Sequence, residues 1–383
     1  MAPRRLLFVV NVSWFFISHR LELARHALAC GYDVHIATRV ASDEDRRAIE
    51  ESGLTLHEIA IGRGDSGLLQ DLRSFVQLLR LYRLLSPDIV HLVALKPIIF
   101  GGLAARMLRV RSVVVAVPGL GHAFSESGLL ANLRRWLILK AIGAGSRRHG
   151  CIFVFQNRDD QEMFVEKGVV RRENTRLIRG AGVDLAKYLP SAEPEGELQV
   201  LLAARLLRTK GVPEFVESAR ALRKKWPTVR FVLAGSPDAA NPASLTPNEI
   251  DGWQRQGIIE WMGFVENMVD VLRSSHIVVL PTYYREGVPK VLVEAAACGR
   301  PIVTSDIPGC RDIVVDGENG FLVPPRNLSS LSAAIDRLIE SKDLRREFGE
   351  QGRRRVQVGF GQETVIPATL SIYEDLWRSR VGK

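Results

Sequence analysis

The chain has 383 residues, enough for two domains, and a mean hydropathy of +0.03, which is typical of a globular protein with its own cores. The formal net charge is +9, and residues 61–150 alone carry 13 Lys and Arg against 4 Asp and Glu. Such one-sided charge indicates an anionic partner: a membrane surface, nucleic acid or a phosphorylated acceptor. The four cysteines form no C-x-x-C pair, which argues against a cysteine-based metal module.

The N-terminus begins like a signal peptide, with two arginines and then an apolar run, MAPRRLLFVVNVSWFFIS. Asn11 and Ser13 interrupt the run, no small-residue cleavage site follows, and an amphipathic helix continues from Ser18. No segment reaches the ~18–20 apolar residues of a membrane span. We therefore expect a cytoplasmic chain.

Strands and helices alternate along the whole sequence, which predicts parallel α/β sheets. The predicted strands are 4–10, 32–38, 54–61, 88–95, 112–117, 151–156, 174–179, 198–204, 229–234, 258–262, 276–281, 302–305 and 320–323. The predicted helices are 18–30, 43–52, 68–85, 98–108, 129–143, 158–166, 212–226, 246–256, 266–274, 290–298, 328–340, 344–351 and 362–380. Pro, Glu and Ser collect at 184–197, where we place the linker between two domains.

The stretch from 283 to 312, YYREGVPKVLVEAAACGRPIVTSDIPGCRD, carries the strongest chemical pattern. Glu286 precedes a Gly-Val-Pro turn, a short helix begins at Lys290, and Glu294 lies inside that helix. The start of a helix offers unpaired N–H groups and partial positive charge to an anion. Amides on phosphate and carboxylates on hydroxyls could together hold a phosphorylated sugar, although two solvated glutamates are the alternative.

This stretch resembles the motif of retaining glycosyltransferases of the GT-B fold, family 4 ("group 1"), which has two glutamates separated by seven residues. The resemblance implies an α/β protein with two facing Rossmann-like domains and an interdomain cleft. Residues 1–184 would form the acceptor-binding domain and 185–361 the nucleotide-sugar-binding domain, and the helix in 362–383 would cross back to the first.

The same resemblance implies a role for each matching residue. Arg205 and Lys210 follow a strand, where a basic pair can clamp a diphosphate, and in the family they neutralise the leaving nucleotide diphosphate. Their alternative interpretation is two surface cations. Glu286 would face the transferred sugar and Glu294 the ribose. Phosphate, sugar or base would contact Val288, Pro289, Lys290, Val291, Gly263 and Phe264.

Three residues of the N-terminal half are further candidates. His122 follows Gly119-Leu120-Gly121 after a strand; no third glycine falls in register, which argues against NAD, and His122 is either an active-site residue or a local hydrogen bonder. His19 lies beside an aromatic run, and Lys96 lies in LKPIIFG. Both segments resemble enzymes acting on polyprenyl-diphosphate-linked sugars, with an exposed aromatic cluster for the lipid, although Phe15 and Phe16 could be core.

The helices at 68–85 and 129–143 mix leucines with Arg73, Arg80, Arg83, Arg134 and Arg135. The first helix places its arginines opposite Leu72, Phe75, Val76 and Leu79. Basic amphipathic helices can lie in a membrane interface; the alternative is core packing with solvated cations. With the lopsided charge, we interpret them as contacts to the cytoplasmic face of the inner membrane.

We therefore predict a bacterial enzyme of polysaccharide assembly that transfers a sugar of N-acetylhexosamine type, with retention, from a UDP-sugar to a polyprenyl-diphosphate-linked sugar. It would use no cofactor, and no metal, because no DxD motif lies near a strand end. The resemblance implies that the leaving diphosphate accepts the acceptor's proton. Two alternatives remain: a GT-B-fold UDP-sugar 2-epimerase and a non-catalytic basic adaptor at the membrane. We expect no nucleic-acid partner, because no module with base-stacking aromatics is evident.

Overall fold

The computed structural model describes residues 3–62, 67–121, 124, 128–146 and 150–381. The chain forms two compact units. Unit 1 comprises Met1–Ala181 and Val365–Lys383, and unit 2 comprises Gly182–Thr364. Each unit contains one parallel sheet covered by helices, so the predicted α/β class is confirmed.

Unit 1 is built on a seven-stranded parallel sheet of order β3-β2-β1-β4-β5-β6-β7. Its strands are β1 Arg4–Val10, β2 Tyr32–Thr38, β3 Thr55–Glu58, β4 Ile89–Val93, β5 Ser112–Val117, β6 Cys151–Phe155 and β7 Thr175–Leu177. Its helices are α1 Ser13–Ala29, α2 Asp43–Glu50, α3 Leu68–Leu85, α4 Gly102–Met107, α5 Leu129–Ser146 and α6 Arg158–Glu166. A π-helical turn, Pro97–Gly101, leads into α4.

The two faces of this sheet have separate cores. On one face α1 packs with apolar residues of the chain's last helix, among them Ile366, Ile372 and Tyr373. On the other face lie α3, α4 and α5. The helices α4 and α5 cross closely, because a Cβ on Gly145 would lie 2.9 Å from the carbonyl carbon of Gly102. Burying both faces explains why the central strands are almost continuously apolar.

Unit 2 has a six-stranded parallel sheet of order β10-β9-β8-β11-β12-β13. Its strands are β8 Gln199–Ala203, β9 Arg230–Ala234, β10 Glu260–Trp261, β11 Ile277–Leu280, β12 Ile302–Ser305 and β13 Gly320–Val323. Its helices are α7 Val212–Leu222, α8 Pro247–Arg255, α9 Met268–Arg273, α10 Lys290–Ala297, α11 Cys310–Ile313, α12 Leu328–Glu340 and α13 Lys342–Gly359. The final helix, α14 Gln362–Val381, starts in unit 2 and continues into unit 1.

The strand order of unit 2 reverses between β8 and β11, as it does in dinucleotide-binding Rossmann folds. In such open sheets, ligands bind outside the carboxyl ends of the strands at the reversal point. The loops that follow β8 and β11 therefore mark where a ligand of unit 2 should bind.

Most predicted elements are present, and the first helix is the main exception. α1 begins at Ser13 rather than Ser18, so the aromatic run from Trp14 to Phe16 lies inside the helix. Tertiary contacts set this start: the Ser13 N–H donates to the Arg39 carbonyl at 3.0 Å, and its hydroxyl donates to Asp45 at 2.5 Å. The Ser13 side chain thus does not act as a helix cap, and the sequence offers no capping signal.

Helices α3 and α5 each expose apolar side chains, and both pack against the segment from Pro97 to Met107. Leu129, Leu130 and Leu68 are 84–90% exposed, and Trp136 is 55% exposed. We call the following set the α3–α5 apolar surface: Leu68, Leu69, Leu72, Leu129, Leu130, Leu133, Trp136 and Leu137. The expected position of Leu72 opposite the arginines is wrong, because Leu72 is 58% exposed and the buried side of α3 carries Ser74, Leu78, Leu81 and Tyr82. Among the described helices, none is long and apolar enough to cross a bilayer.

We expect the stability of unit 2 to decrease in mild acid because His276 is buried in a neutral form. Its Nδ1 accepts the Gln199 backbone N–H at 3.0 Å, and its Nε2 lies 3.1 Å from the Pro194 carbonyl oxygen. Burial lowers the pKa of His276 below its ordinary 6.5. The unfolded chain therefore takes up this proton at higher pH than the folded chain. The contribution of neutral His276 to the free energy of unfolding is fully present above pH 6.5. As the pH falls below 6.5, this contribution decreases by up to about 1.4 kcal/mol per pH unit.

Urea unfolding at several pH values between about 8 and 5 gives the slope of the free energy of unfolding against pH. The variant His276→Asn keeps an oxygen acceptor near the Gln199 amide but has no titrating ring, so its slope should be smaller. An equal slope in the variant and the parent chain would contradict the assignment to His276.

Candidate active site

Two close backbone contacts bring the loops after β8 and β11 together. Gly211, which ends the turn Arg208–Lys210, has φ +76, and a Cβ there would lie 2.2 Å from the Pro281 carbonyl oxygen. The N–H groups of Tyr283 and Tyr284 donate to the Thr209 carbonyl at 3.0 and 3.1 Å. Glycine is required at 211 because only it combines this backbone angle with this approach. The β8 loop therefore lies directly against the β11 loop.

Lys210 and Glu286 form an ion pair at this junction. Lys210 Nζ lies 2.5 Å from Glu286 Oε2, and the two side chains are 10% and 16% exposed. Thr282, which is fully buried, donates its hydroxyl to Glu286 Oε1 at 3.2 Å. Lys210 also lies 5.6 Å from the centre of the Tyr284 ring. A mostly desolvated cation is thus fixed at the point where the strand order reverses.

Glu294 is also held in place, by a tyrosine that the sequence did not single out. Tyr188 donates its hydroxyl to Glu294 Oε1 at 2.7 Å, and Lys290 Nζ lies 3.1 Å from the same oxygen. Glu294 is 5% exposed. Burial, and then the nearby carboxylate, raise the pKa of Tyr188, so the phenol remains a donor. A buried carboxylate with two donors on one oxygen retains acceptor capacity on the other.

α10 begins immediately after Pro289, and no side chain caps it. The first N–H groups of any helix have no acceptor within the helix and carry partial positive charge. Val288 and Pro289 are buried, whereas Lys290 and Val291 are partly exposed. The start of α10 therefore follows the turn after Glu286 in the chain, and the contacts to phosphate or sugar expected for the segment from Val288 to Val291 stay a prediction.

The backbone of Glu286 and Gly287, in the loop after β11, packs closely against Gly309. A substitution at Gly309 therefore tests whether the position of this loop matters for turnover. Gly309 has φ +84, and a Cβ there would lie 1.5 Å from the Gly287 carbonyl oxygen. Gly309→Ala must displace this loop, so we expect turnover to fall by about 10²-fold, the usual effect of misplacing a catalytic group by an ångström. Steady-state kinetics measure the loss.

Gly317→Ala is the matched control, because Gly317 has φ +75 but open space around its missing Cβ. It should cost only the backbone strain, about 1 kcal/mol of stability, and leave turnover unchanged. Equal kinetics for the two alanine variants would contradict the link between Gly309 and Glu286.

Arg205, the second predicted cation, lies in the same β8 loop but pairs elsewhere. Its Nη1 lies 2.7 Å from Asp238 Oδ2, and its side chain is 32% exposed. Asp238 follows β9, and its own N–H is fixed by the Ser244 hydroxyl at 2.9 Å. Arg205 is therefore held at the carboxyl end of the sheet, with part of its surface open to solvent.

Gly263 and Phe264 lie at the end of β10, one strand further along the edge. The Gly235 N–H donates to the Gly263 carbonyl at 2.7 Å, and Trp261 Nε1–H donates to the Gly235 carbonyl at 2.8 Å. The Phe264 ring is 76% exposed. An anchored backbone thus presents an open aromatic ring on which a planar base could stack.

The candidates of the N-terminal half lie in unit 1. His19 is partly exposed and stacks on Phe15, with ring centroids 4.1 Å apart. Lys96 Nζ lies 2.7 Å from Asp71 Oδ1. His122 lies outside the described residues. The expected exposed aromatic cluster is wrong, because Phe16 is fully buried and packs on Phe8, while Trp14 and Phe15 are only partly exposed.

Sequence reasoning missed Tyr188, Thr282 and Asp238. Thr282 lies two residues after the end of β11, so a search of strand ends for hydrogen-bonding side chains would have found it. Tyr188 lies in the segment interpreted as a linker, and Asp238 lies in a long loop. Neither carries a local signal, because each contact depends on tertiary folding.

Comparisons with known proteins match both halves of the chain. Residues 189–355 match the family described as "Glycosyl transferases group 1", and residues 5–147 match the family described as "Glycosyl transferase 4-like". The chain is a glycosyltransferase. The glycosyltransferase carries Lys210, Glu286 and Glu294 within the first of these matches.

Two curated bacterial enzymes are similar to this glycosyltransferase over most of their length. The N,N'-diacetylbacillosaminyl-diphospho-undecaprenol alpha-1,3-N-acetylgalactosaminyltransferase of Campylobacter jejuni subsp. jejuni serotype O:2 is 29% identical over 348 residues, which are 88% of this chain and 89% of the relative. The UDP-Gal:alpha-D-GlcNAc-diphosphoundecaprenol alpha-1,3-galactosyltransferase of Escherichia coli is 24% identical over 324 residues, 81% of each chain.

Among solved structures, the sucrose-phosphate synthase of Thermosynechococcus elongatus superposes with a TM-score of 0.78 at 19% identity. The match covers 98% of this glycosyltransferase and all of the synthase. The predicted GT-B fold, with two Rossmann-like halves, is thereby confirmed.

Proposed function

We propose that this glycosyltransferase moves an N-acetylhexosamine-type sugar from a UDP-sugar to a polyprenyl-diphosphate-linked sugar, with retention of the anomeric configuration. The observation that carries the proposal is the buried Lys210–Glu286 ion pair at the strand-order reversal of unit 2. A cation, a carboxylate and a helix start meet at the position where an open α/β sheet binds its ligand.

Each group has a role in this proposal. Lys210 stabilises the charge that develops on the leaving diphosphate, and it is already held by Glu286, so little reorganisation is needed when the donor binds. Arg205 contacts the same diphosphate with its open edge. Glu286 orients the transferred sugar, and Glu294, held by Tyr188, accepts from the ribose hydroxyls. The amides at Val288, Lys290 and Val291 contact phosphate or sugar.

The remaining candidates complete the substrates' contacts. Phe264 stacks on the base beside Gly263. His122, His19 and Lys96 act on the acceptor side. The proposed chemistry needs no metal, because Lys210 and Arg205 stabilise the charge of the leaving diphosphate. The bond between the sugar and this diphosphate breaks, the new glycosidic bond forms on the same face of the sugar, and the diphosphate takes up the proton of the acceptor hydroxyl.

The acceptor class is supported by the names of the two curated relatives, both of which act on sugars linked to diphosphoundecaprenol. The α3–α5 apolar surface is a physical argument for the same class of lipid-linked acceptor. A lipid-linked acceptor stays in the bilayer, so the enzyme must reach it there. Exposed leucines and a tryptophan next to Arg73, Arg134 and Lys140 fit an interface with anionic headgroups. We propose that this surface rests on the cytoplasmic face of the inner membrane.

The decisive experiment is a panel of radiolabelled UDP-sugars incubated with the protein and undecaprenyl-diphosphate-linked acceptors. Label from UDP-N-acetylgalactosamine or UDP-N-acetylglucosamine should move into the organic phase, and proton NMR of the product should show the donor's anomeric configuration. Inversion would contradict the mechanism. Loss of turnover in EDTA with recovery on adding Mn²⁺ would contradict its independence of metal. A new UDP-sugar epimer formed without acceptor would support the epimerase instead.

A further inference from the structure

Arg20 of α1 is a buried guanidinium that has no acidic partner in the part of the chain that the structure describes. It is 7% exposed, and among the described residues no carboxylate lies within ion-pair distance of it. Its Nη1 donates to the neighbouring His19 carbonyl at 3.0 Å, and its Nε is buried without a partner. Burial lowers the pKa of Arg20 to about 10, so the group is still a cation near neutral pH. A buried charge without a counter-ion is costly, and the fold retains one here.

A second unpartnered donor lies close to Arg20. His91 of β4 is 2% exposed, its Nε2 has no partner, and its Nδ1 lies 2.5 Å from the Tyr373 hydroxyl oxygen. Burial, and then Arg20, lower the pKa of His91 well below its ordinary value, so the ring is neutral. Burial raises the pKa of Tyr373, so the phenol keeps a proton that it can donate to Nδ1. In the tautomer whose Nδ1 accepts this proton, the single ring proton of His91 is on Nε2, which is then a donor.

Both side chains line one pocket of unit 1, between α1 and α14. Its free volume is about 400 Å³ when the mouth that opens to solvent is included. The pocket lies at the carboxyl ends of β5 and β6, where Val117 and Gln156 line it, and its wall also includes Gly180 and Thr369. Among the residues that the structure describes, no Asp or Glu belongs to this lining.

We propose that this pocket binds a small oxyanion of the phosphate type through the side chains of Arg20 and His91. A guanidinium edge matches the oxygens of a phosphoryl group, and the carboxyl ends of parallel strands are the usual place for such ligands. The anion supplies the missing counter-charge and links α1 to α14. This site goes beyond the proposed transfer reaction, since its residues belong to unit 1 and Lys210 and Glu286 belong to unit 2. The phosphoryl group could be free inorganic phosphate or the headgroup of a lipid diphosphate.

Thermal unfolding of the full chain at constant ionic strength, with sodium phosphate replacing sodium chloride, tests the site. At ten times its dissociation constant, phosphate should raise the unfolding temperature by about 3–5 °C. Arg20→Met should abolish this increase, and Arg25→Met, an exposed arginine on the same helix, should keep it. The increase should also persist in Lys210→Met, which lacks the proposed diphosphate cation, so the two sites are distinguished.

A second variant covers the case in which Arg20→Met does not fold. Thr369→Glu places a carboxylate in the pocket wall and should raise the unfolding temperature without phosphate while removing the response to it. Farnesyl diphosphate serves as the lipid probe. If it saturates the Arg20-dependent response at a lower concentration than inorganic phosphate, the lipid headgroup is the ligand, and the reverse order identifies free phosphate. An equal response in the parent chain and Arg20→Met, or no response at all, would overturn the proposal.

Discussion

Lys210→Met should lower kcat/KM for sugar transfer by about 10³-fold, the scale of losing one preorganised group that stabilises transition-state charge. Methionine retains most of the length of lysine and its packing, but it removes the cation that lies 2.5 Å from Glu286. The loss should fall mainly on kcat, because the charge on the diphosphate increases as the glycosidic bond breaks. Initial rates over a range of donor concentration separate kcat from KM.

Two further variants make this result specific. Arg208→Met removes a cation two residues earlier in the same turn; that side chain is 50% exposed and pairs with Glu249, so turnover should be unchanged. The double variant Lys210→Met/Glu286→Gln removes the carboxylate that Lys210→Met leaves without its cation. It should regain stability but no activity. Similar turnover in Lys210→Met and Arg208→Met would refute the role of Lys210.

The triple variant Leu130→Ser/Leu133→Ser/Trp136→Ser should weaken binding to phosphatidylglycerol vesicles by about 100-fold or more, because three apolar side chains no longer enter the interface. All three are exposed on one side of α5, so their replacement should not disturb the core of unit 1. Vesicle sedimentation gives the partition coefficient. Raising the ionic strength should weaken binding of the parent chain further, because arginines flank this surface.

Val358→Ser is the matched control, since Val358 is 83% exposed on α13 of unit 2 and lies outside the α3–α5 apolar surface. Its vesicle binding should equal that of the parent chain. With a short-chain, water-soluble acceptor the triple variant should turn over normally, which separates membrane docking from catalysis. If the triple variant binds vesicles as well as the Val358→Ser control, the α3–α5 surface does not face a membrane.

The sequence predicts the sheets well because their signal is local. Alternating apolar runs and amphipathic helices define both halves, and several predicted bounds, such as those of α3 and β12, agree with the structure to the residue. The placement of Lys210 and Glu286 near each other follows from two loops that leave neighbouring strands. Their direct contact does not follow, because it depends on the close approach of Gly211 to Pro281.

The start of α1 shows where local reasoning stops. Asn11 and Ser13 resemble loop residues, and Trp14, Phe15 and Phe16 resemble an exposed aromatic patch. Arg39 of the β2–α2 connection and Asp45 of the first turn of α2 hydrogen-bond to Ser13, and Phe16 packs in the core against Phe8. Such contacts join segments that are far apart in the sequence, so a pattern within ten or twenty neighbouring residues does not predict them. The same is true of Tyr188, whose partner Glu294 lies 106 positions away.

The last helix has a consequence for the order of folding. Val365, Ile366 and Tyr373 complete one face of the first sheet, yet the ribosome adds them only after the whole of unit 2. Until then the nascent first half leaves uncovered the part of this apolar face that α14 covers in the complete fold. The N-terminal unit therefore cannot finish folding during its own synthesis, and the chain must protect that face from aggregation until its final turns emerge.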